Sequence, residues 1–582
     1  MNQGEKELPK GWKWKKLEEV LDLCDSGIWG DPPYKSDVYP VLRSNNIQNF
    51  QFILNPDIAY RTIAQEQVER YRLREGDILV VKSSGSKDHI GKCAVFKTEN
   101  ENIFLFSNFL QRLRSNLNEI IPEYLYYYLI SPKARFELEK MHATSSGLRN
   151  IQVKIYKQQI LPLPPLPVQE RIVQILQKVD EIRRKRQEAV AIAEAILPAI
   201  FNEMFGDPGK NRKDLPIKTL QGLCTPTSGG TPSKQNPDFW TNGTIPWVSA
   251  KDMKVPEIFD VPDQITEKAL GNRSLTKPGT VLIVVRGMIL QHSAPICLVQ
   301  TPLTFNQDIK GLIPREGIPG EFLFWLLRCS EKRLLEMIDT ASHGTKKLDT
   351  DRLMGLKFFV DTEPKVMKHF AAIHRHFFDA QAKRLDAVLE TEKTFNALLS
   401  RAFTGELTGE WEAANAKQIA AKQKLYQRLP QLVILSFLKE KINRIQRQKA
   451  DTAVLVTALM KYVFLFQMEG VAKRRLYQFI PYHYGPFAKE LYTDLETLQE
   501  QGLIIVDDSD EDKTRISLLN SKEVEAELAE LPDDFQTDIE AIIDSYGDLD
   551  LTSLLATVYE KYPAYAKKSK LKQRKKADSS DT

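Results

Sequence analysis

The sequence predicts an α+β protein: two duplicated α/β domains, separated by a pair of long antiparallel coiled-coil helices and followed by a mostly helical C-terminal domain. Three observations predict it. Five short motifs recur in one order at a nearly constant offset, each copy runs into a long stretch with a helical apolar stripe, and beyond Trp411 neither pattern continues.

The repeat comes first. Tyr39–Gln48 (YPVLRSNNIQ) is matched by Ile245–Lys254 (IPWVSAKDMK), GDILVV from Gly76 by GTVLIVV from Gly279, and PEYLYYYLIS near Glu123 by GEFLFWLLRCS near Glu321. SSGLRNIQ around Gly147 is matched by SHGTKKLD around Gly344, and Pro167 by Pro364, while the offset drifts only from 206 to 197 residues. A solenoid unit spans about 20–50 residues, so a period this long is a duplicated domain. Within a copy, GDILVVKSSGSKDHIGKCAVF reads as strand, loop, strand.

The helices follow. From about Val168 to Met204 apolar residues recur at Ile172, Leu176, Val179, Ile182, Ala189, Ala193 and Ile196, near a 3.5-residue period. The second stripe, from Pro364, takes in Val366, Phe370, Ile373, Phe377, Ala380, Val388, Phe395, Leu398 and Ala402. Each entrance carries a proline, whose missing N–H costs nothing in the first turn. Each helix would be roughly 50 Å long. Pro198 should kink the first or end it early. The expected organisation is domain 1 over 1–165, helix over 166–208, domain 2 over 209–362, helix over 363–411, a polar helical connector over 412–430, a helical accessory domain over 431–566 and a basic disordered tail over 567–582.

Bulk properties constrain function loosely. A net charge of +4 over 582 residues permits nucleic-acid binding without requiring it, so any basic surface is local. Cys24, Cys93, Cys224, Cys297 and Cys329 are scattered without a CxxC pair, which indicates neither a disulfide framework nor a zinc site. The N-terminus lacks the apolar core of a signal peptide. The longest apolar stretch, Thr452 to Met468, is interrupted by Lys461 and is too short to span a bilayer. A cytoplasmic protein is expected.

Three fragments imitate catalytic motifs. DPPY (Asp31–Tyr34) matches the tetrapeptide with which amino-methyltransferases hold a target amine, but no glycine-rich cofactor turn precedes it. GSKDHIGKC (Gly85–Cys93) resembles a phosphate-binding loop, yet has five residues between its glycines rather than four, and Cys93 where a hydroxyl should ligate magnesium. Glu511-x-Lys513 has nuclease-like spacing inside an acidic turn. His369, His374 and His376 lack metal-ligand spacing and are expected at the surface. No catalytic residue and no metal ligand is therefore assigned.

Both β-rich copies carry basic and amide-bearing loops. The first offers Arg43, Ser44, Asn45, Asn46, Lys82, Ser83, Ser84, Lys87 and Lys92. The second offers Lys251, Arg286, His292, Asn306, Lys346 and Lys347. Arginine pairs with guanine edges and asparagine with adenine, whereas lysine and serine suit phosphates. These are the candidate DNA-binding residues.

From residue 8 to about 411 the sequence resembles a type I restriction–modification specificity subunit. The resemblance is carried by ILPLPPLPVQERIVQILQKVD (Ile160–Asp180), FGDP (Phe205–Pro208), FTGELTGEW (Phe403–Trp411) and the opening GWKWKKLEEV. The second entrance, FFVDTEPKVMKHF, lacks the pair found at Gln169–Glu170. The resemblance implies two target-recognition domains, each reading half of a split asymmetric DNA site. It also implies helices that bind two methylation subunits, through which motor–nuclease subunits join. On this reading the partner-binding residues are Gln169, Glu170, Ile172, Leu176, Val179, Phe370, Ile373 and Phe377. S-adenosylmethionine, ATP and magnesium belong to the partner subunits, and this chain carries no cofactor. A reader for another methylase–nuclease system, or a two-domain scaffold that binds no DNA, stays open. Tyr482–Ile504 resembles the small helical domain of antitoxin-like Panacea proteins, and its helix–GP turn–helix–strand order would also suit a winged helix.

Overall fold

The computed structural model describes residues 7–33, 37–54, 58–97, 102–145, 148–210, 215–271, 274–340, 345–447, 453–470, 476–509 and 513–566. Gly147, Gly344, Glu511 and the basic tail lie outside them. The chain divides into two compact units, 1–180 with 393–582, and 181–392. Both long helices contribute residues to both units.

In the first unit a four-stranded antiparallel sheet runs in the order Leu21–Ser26, Leu110–Ser115, Ile78–Val81, Cys93–Val95. Ile78–Val81 is buried along its whole length, as its unbroken apolar run requires. A smaller sheet sets Leu105–Phe106 parallel to Val38–Leu42, with Ala59–Thr62 antiparallel on the other side. Lys13–Lys16 pairs with Ile160–Leu163, so the domain's first and last strands meet. Beneath them lies the helix Pro122–Ile130, whose Tyr124 and Tyr128 hydroxyls donate to Pro162 O and Ile160 O, both at 2.7 Å.

The first long helix (Leu166–Glu194) begins on this core. Val168, Ile172 and Leu176 share it with Phe395, Leu399 and Ala402 from the end of the second long helix (Pro364–Ala402). Phe403 seats between the rings of Tyr124 and Tyr128, with centroids 5.4 and 5.3 Å away. The beginning of one helix thus packs against the end of the other.

The expected boundary at 430/431 does not interrupt the chain: Ala416–Arg447 is one helix with Pro430 inside it. Its apolar face, Leu429 to Leu438, joins the core built by Val456–Glu469, Glu490–Glu500, Asp533–Tyr546 and Leu551–Lys561. Strands also contribute, as the order Val454–Leu455, Arg515–Leu518, Ile504–Asp507 and a hairpin of Ile480–Tyr482 with Gly485–Phe487. Gly485 turns that hairpin at φ +87°, and a side chain there would strike the Tyr559 ring. The lysine that interrupts the long apolar stretch, Lys461, is buried and donates to Pro486 O at 2.8 Å; burial pushes its pKa down to about 7.

In the second unit five strands run in the order Cys224–Ser228, Ile309–Pro314, Val281–Val284, Ile296–Val299, Glu257–Ile258. A smaller sheet sets Ile245–Val248 parallel to Thr304–Phe305, and Ile217–Thr219 pairs with Lys357–Phe359. The first long helix breaks at Ala195, three residues before Pro198, and resumes as Ile196–Phe205. Phe201 and Phe205 pack on Phe322 and Phe370, the latter from the beginning of the second long helix. Arg183 lies 3.1 Å from Glu392, and Arg186 donates to Ala387 O at 2.8 Å. Among the described residues no helix is long and apolar enough to cross a membrane.

Candidate nucleic-acid interface

In the first domain, strand directions bring the exit of Leu21–Ser26, the exit of Ile78–Val81 and the entrance of Leu110–Ser115 to one end of the sheet. Gly27 is pressed against the Phe106 carbonyl, where an added Cβ would lie 2.0 Å from the oxygen. Lys82 Nζ donates to Ser26 Oγ at 2.7 Å, and Ser26 Oγ donates to Gln111 Oε1 at 3.1 Å. Partial burial lowers the Lys82 pKa. The His89 ring contacts Ser44 O at 2.8 Å, drawing the turn that carries Lys87 and Lys92 to the turn that carries Arg43 and Asn45. Lys87 is exposed, 3.7 Å from Glu139, and Ser84 caps the backbone of Ser86. Two expected contacts are internal instead. Asn46 is buried because its side chain caps Arg43 N (2.8 Å) and donates to Ile53 O (3.1 Å). Ser83 is buried, with its hydroxyl on Asn150 of the strand Leu148–Ile151.

The second domain gathers equivalent segments. Gly229 is pressed against the Phe305 carbonyl at the same 2.0 Å, and Lys310 Nζ donates to Ser228 Oγ at 2.6 Å. Arg286 is exposed and bridges in the ladder to Lys347, while Gly287 N donates to Lys346 O at 3.0 Å. The single turn Met288–Gln291 then delivers an exposed His292. Arg286, His292, Lys346 and Lys347 are therefore brought together, although Lys346 Nζ donates to Thr340 Oγ1 and Lys347 lies 4.0 Å from Asp349. Lys251 is exposed but is held by Asp263 at 2.7 Å. Asn306 is a correction: it is buried, and its Oδ1 accepts from Asp308 N to close a turn.

The residues expected to bind partners are engaged inside the chain. Gln169 is buried; its Oε1 accepts from Ile121 N, and its Nε2 donates to Glu119 O and Pro164 O, each at 2.9 Å. Glu170 accepts from Lys422 Nζ at 2.7 Å and from the Tyr426 hydroxyl. Ile172, Leu176 and Phe370 are buried in domain cores, with Val179, Ile373 and Phe377 packed against them. A heptad stripe marks a face to be covered; here the two helices and their own domains cover its ends, while Ile182, Ala189 and Ile196 of the first stripe are exposed. Among the described residues, the large apolar side chains left exposed in these helical segments are Ile182, Ile192, Ile196, Leu385 and Leu389. His374 also departs from expectation. It is wholly buried against the Phe378 ring, and neither ring nitrogen has a hydrogen-bond partner among the described residues; burial pushes its pKa down to about 4. His369 and His376 are exposed.

Residues 9–191 and 213–360 match the family model of the type I restriction modification DNA specificity domain. The chain belongs to that family. It is 29% identical over 251 residues to the EcoR124I/EcoR124II specificity subunit of Escherichia coli, covering 41% of this chain and 59% of that protein. It is 31% identical over 202 residues to the putative MjaX specificity subunit of Methanocaldococcus jannaschii, covering 34% and 46%. The chain thus spans about half the length of these two relatives. Against the StySPI specificity subunit of Salmonella potsdam it is 23% identical over 465 residues, covering 72% and 94%. The crystal structure of a type I restriction–modification S subunit from M. genitalium aligns at a TM-score of 0.43 and 14% identity, over 69% of this chain and 98% of that one.

Residues of two of the imitated catalytic motifs are placed by the fold. Asp31 pairs backbone to backbone with Thr62, and Tyr34 lies outside the described residues. Burial pushes the Cys93 thiol up to about 12. Sequence reading missed Lys310, Arg149 and Asn150. For Arg149–Asn150 the signal was present, since they sit in the motif that aligns with Lys346–Lys347; Lys310 gave none, because its counterpart Gln111 is neutral.

Proposed function

We propose that this chain is the DNA-reading subunit of a type I restriction–modification enzyme, that its two β-rich domains are copies of one target-recognition fold, and that each reads one half of a split asymmetric site. One observation carries this reading. In both domains a serine–glycine strand exit, a lysine on that serine and a loop bearing basic residues converge at the same end of the sheet. Such an end offers arginine forks for base edges and ammonium groups for phosphates. The long helices form an antiparallel coiled coil that fixes the distance between the readers. Their exposed Ile182, Ile192, Leu385 and Leu389 are the surface on which two methylation subunits dock, and motor–nuclease subunits join through those. Methyl transfer and ATP-driven cleavage belong to the partners, with their S-adenosylmethionine, ATP and magnesium. The chain works in the cytoplasm.

Methylome sequencing of cells with and without this chain tests the reading. A bipartite motif should appear only in its presence, and the purified chain alone should transfer no methyl group. Methylation by the isolated chain would contradict it.

A further inference from the structure

A lysine ammonium reaches the same point in both domains from different strands. Lys82, just past strand Ile78–Val81, donates to Ser26 Oγ; Lys310, on strand Ile309–Pro314, donates to Ser228 Oγ. The two serines are equivalent. Each ends its strand, each precedes a glycine pressed on a phenylalanine carbonyl, and Ser26 faces Gln111 across the ladder as Ser228 faces Lys310. The position equivalent to Lys82 is Val285: Lys82 N donates to Phe109 O at 2.9 Å as Val285 N donates to Asp308 O at 2.8 Å. The lysine has therefore changed strands while its ammonium has kept its place.

Neither ammonium forms an ion pair with a described residue. Each has three donors, of which the serine takes one. A half-buried cation with no carboxylate partner costs free energy unless an anion completes it, and the lowered pKa of Lys82 reflects that burial. The domains differ in their remaining loops, which carry Lys87 and Lys92 in one and Arg286 and His292 in the other. A feature common to readers of different half-sites carries no sequence information, and such contacts go to the backbone.

We propose that the Lys82–Ser26 and Lys310–Ser228 pairs are phosphate-binding sites, each holding one DNA backbone phosphate and setting the register of its domain on the duplex. The proposal rests on the DNA-reading function above. The test uses the full chain in complex with its methylation subunits and a duplex carrying the methylated motif, titrated across KCl concentrations. K82M and K310M should each weaken binding about 5–10-fold at 0.1 M salt and reduce the salt slope by about 1, with the motif unchanged. K82R should keep the slope. K82M/Q111K, which moves the lysine to the strand used by the second domain, should regain most of the loss. A single methylphosphonate in each half-site should weaken the wild type but not the matching variant. An unchanged salt slope in K82M and K310M, an altered motif, or a folded K82M/Q111K without rescue would overturn the proposal. Salt-independent binding by the wild type would instead overturn the DNA-reading function itself.

Discussion

Lys422 Nζ lies 2.7 Å from Glu170 Oε2, so the appended C-terminal part of the chain is fastened to the first turns of the first long helix. The Tyr426 hydroxyl takes the other oxygen, Gln423 Oε1 accepts from Leu166 N at 2.9 Å, Asn118 donates to Leu476 O, and Ile419 packs on the domain 1 core. Lys422 is half exposed, so its ion pair is worth about 0–1 kcal/mol, and most of the fastening comes from the buried contacts. A chain stopped after residue 415 should still direct methylation if, as proposed, the two readers and their helices end by Trp411. Its thermal midpoint should fall by several degrees, while K422A alone shifts it by roughly 2 °C or less. Calorimetry measures both; an unchanged midpoint in the truncated chain would show that the fastening contributes nothing.

Arg112 makes domain 1 unlike domain 2. Fully buried, it forks onto Asp25 at 2.9 and 2.8 Å and donates to Arg70 O and Arg72 O. Gly311 holds the equivalent ladder position in domain 2, where a side chain would strike the Phe305 ring. R112A should cost about 3 kcal/mol in urea denaturation, because it leaves the partly buried Asp25 carboxylate and the Arg70 and Arg72 carbonyls without their cation. R112M/D25L, which removes both charges, should cost far less. Equal losses in the two variants would contradict this account.

Glu257 and His374 are oppositely perturbed. Burial raises the Glu257 pKa to about 7 and lowers that of His374 to about 4, so at neutral pH their 3.8 Å contact is not an ion pair. A raised carboxyl pKa means that the fold holds a proton the unfolded chain releases; its stabilisation is present below about pH 4.5 and lost as pH rises through 7. A depressed histidine pKa does the reverse, with stability lost as pH falls from 6.5 through 4. The two nearly cancel in the wild type. E257Q should therefore be more stable than the wild type at pH 8, the gap changing by up to about 1.4 kcal/mol per pH unit between 4.5 and 7 and closing below. Urea titrations at pH 5 and 8 that show a constant gap would refute the assignment.

The contact of Arg186 with Ala387 O marks where the helical spacer can be lengthened. Four residues inserted near Glu188, matched by four near Ala387, add roughly 6 Å and nearly preserve the apolar face. The gap between half-sites should widen by one or two base pairs, with both half-sites unchanged. Two-residue insertions rotate the stripe and should abolish assembly. An unaltered gap in an active four-residue variant would leave the helices as docking surfaces only.

The long helices, their break before Pro198 and the β-rich character of each domain were legible because periodicity and proline chemistry are local. Burial of loop polar groups was not. Asn46, Ser83 and Asn306 have the same composition as readers, but each satisfies backbone or neighbouring groups that only the folded turn brings near. Gln169 misled for a related reason: a residue that ties three backbone groups is as specific as one that binds a partner. Lys310 was hidden because its counterpart, Gln111, is neutral, and only the shared position of the ammonium reveals the equivalence.

The most direct measurement is the methylated motif of cells in which residues 8–160 are replaced by the corresponding domain of a relative with another specificity. Two independent readers require that one half of the motif changes, while the other half and the gap stay as they were. A motif altered in both halves, or methylation at the original motif, would contradict the account.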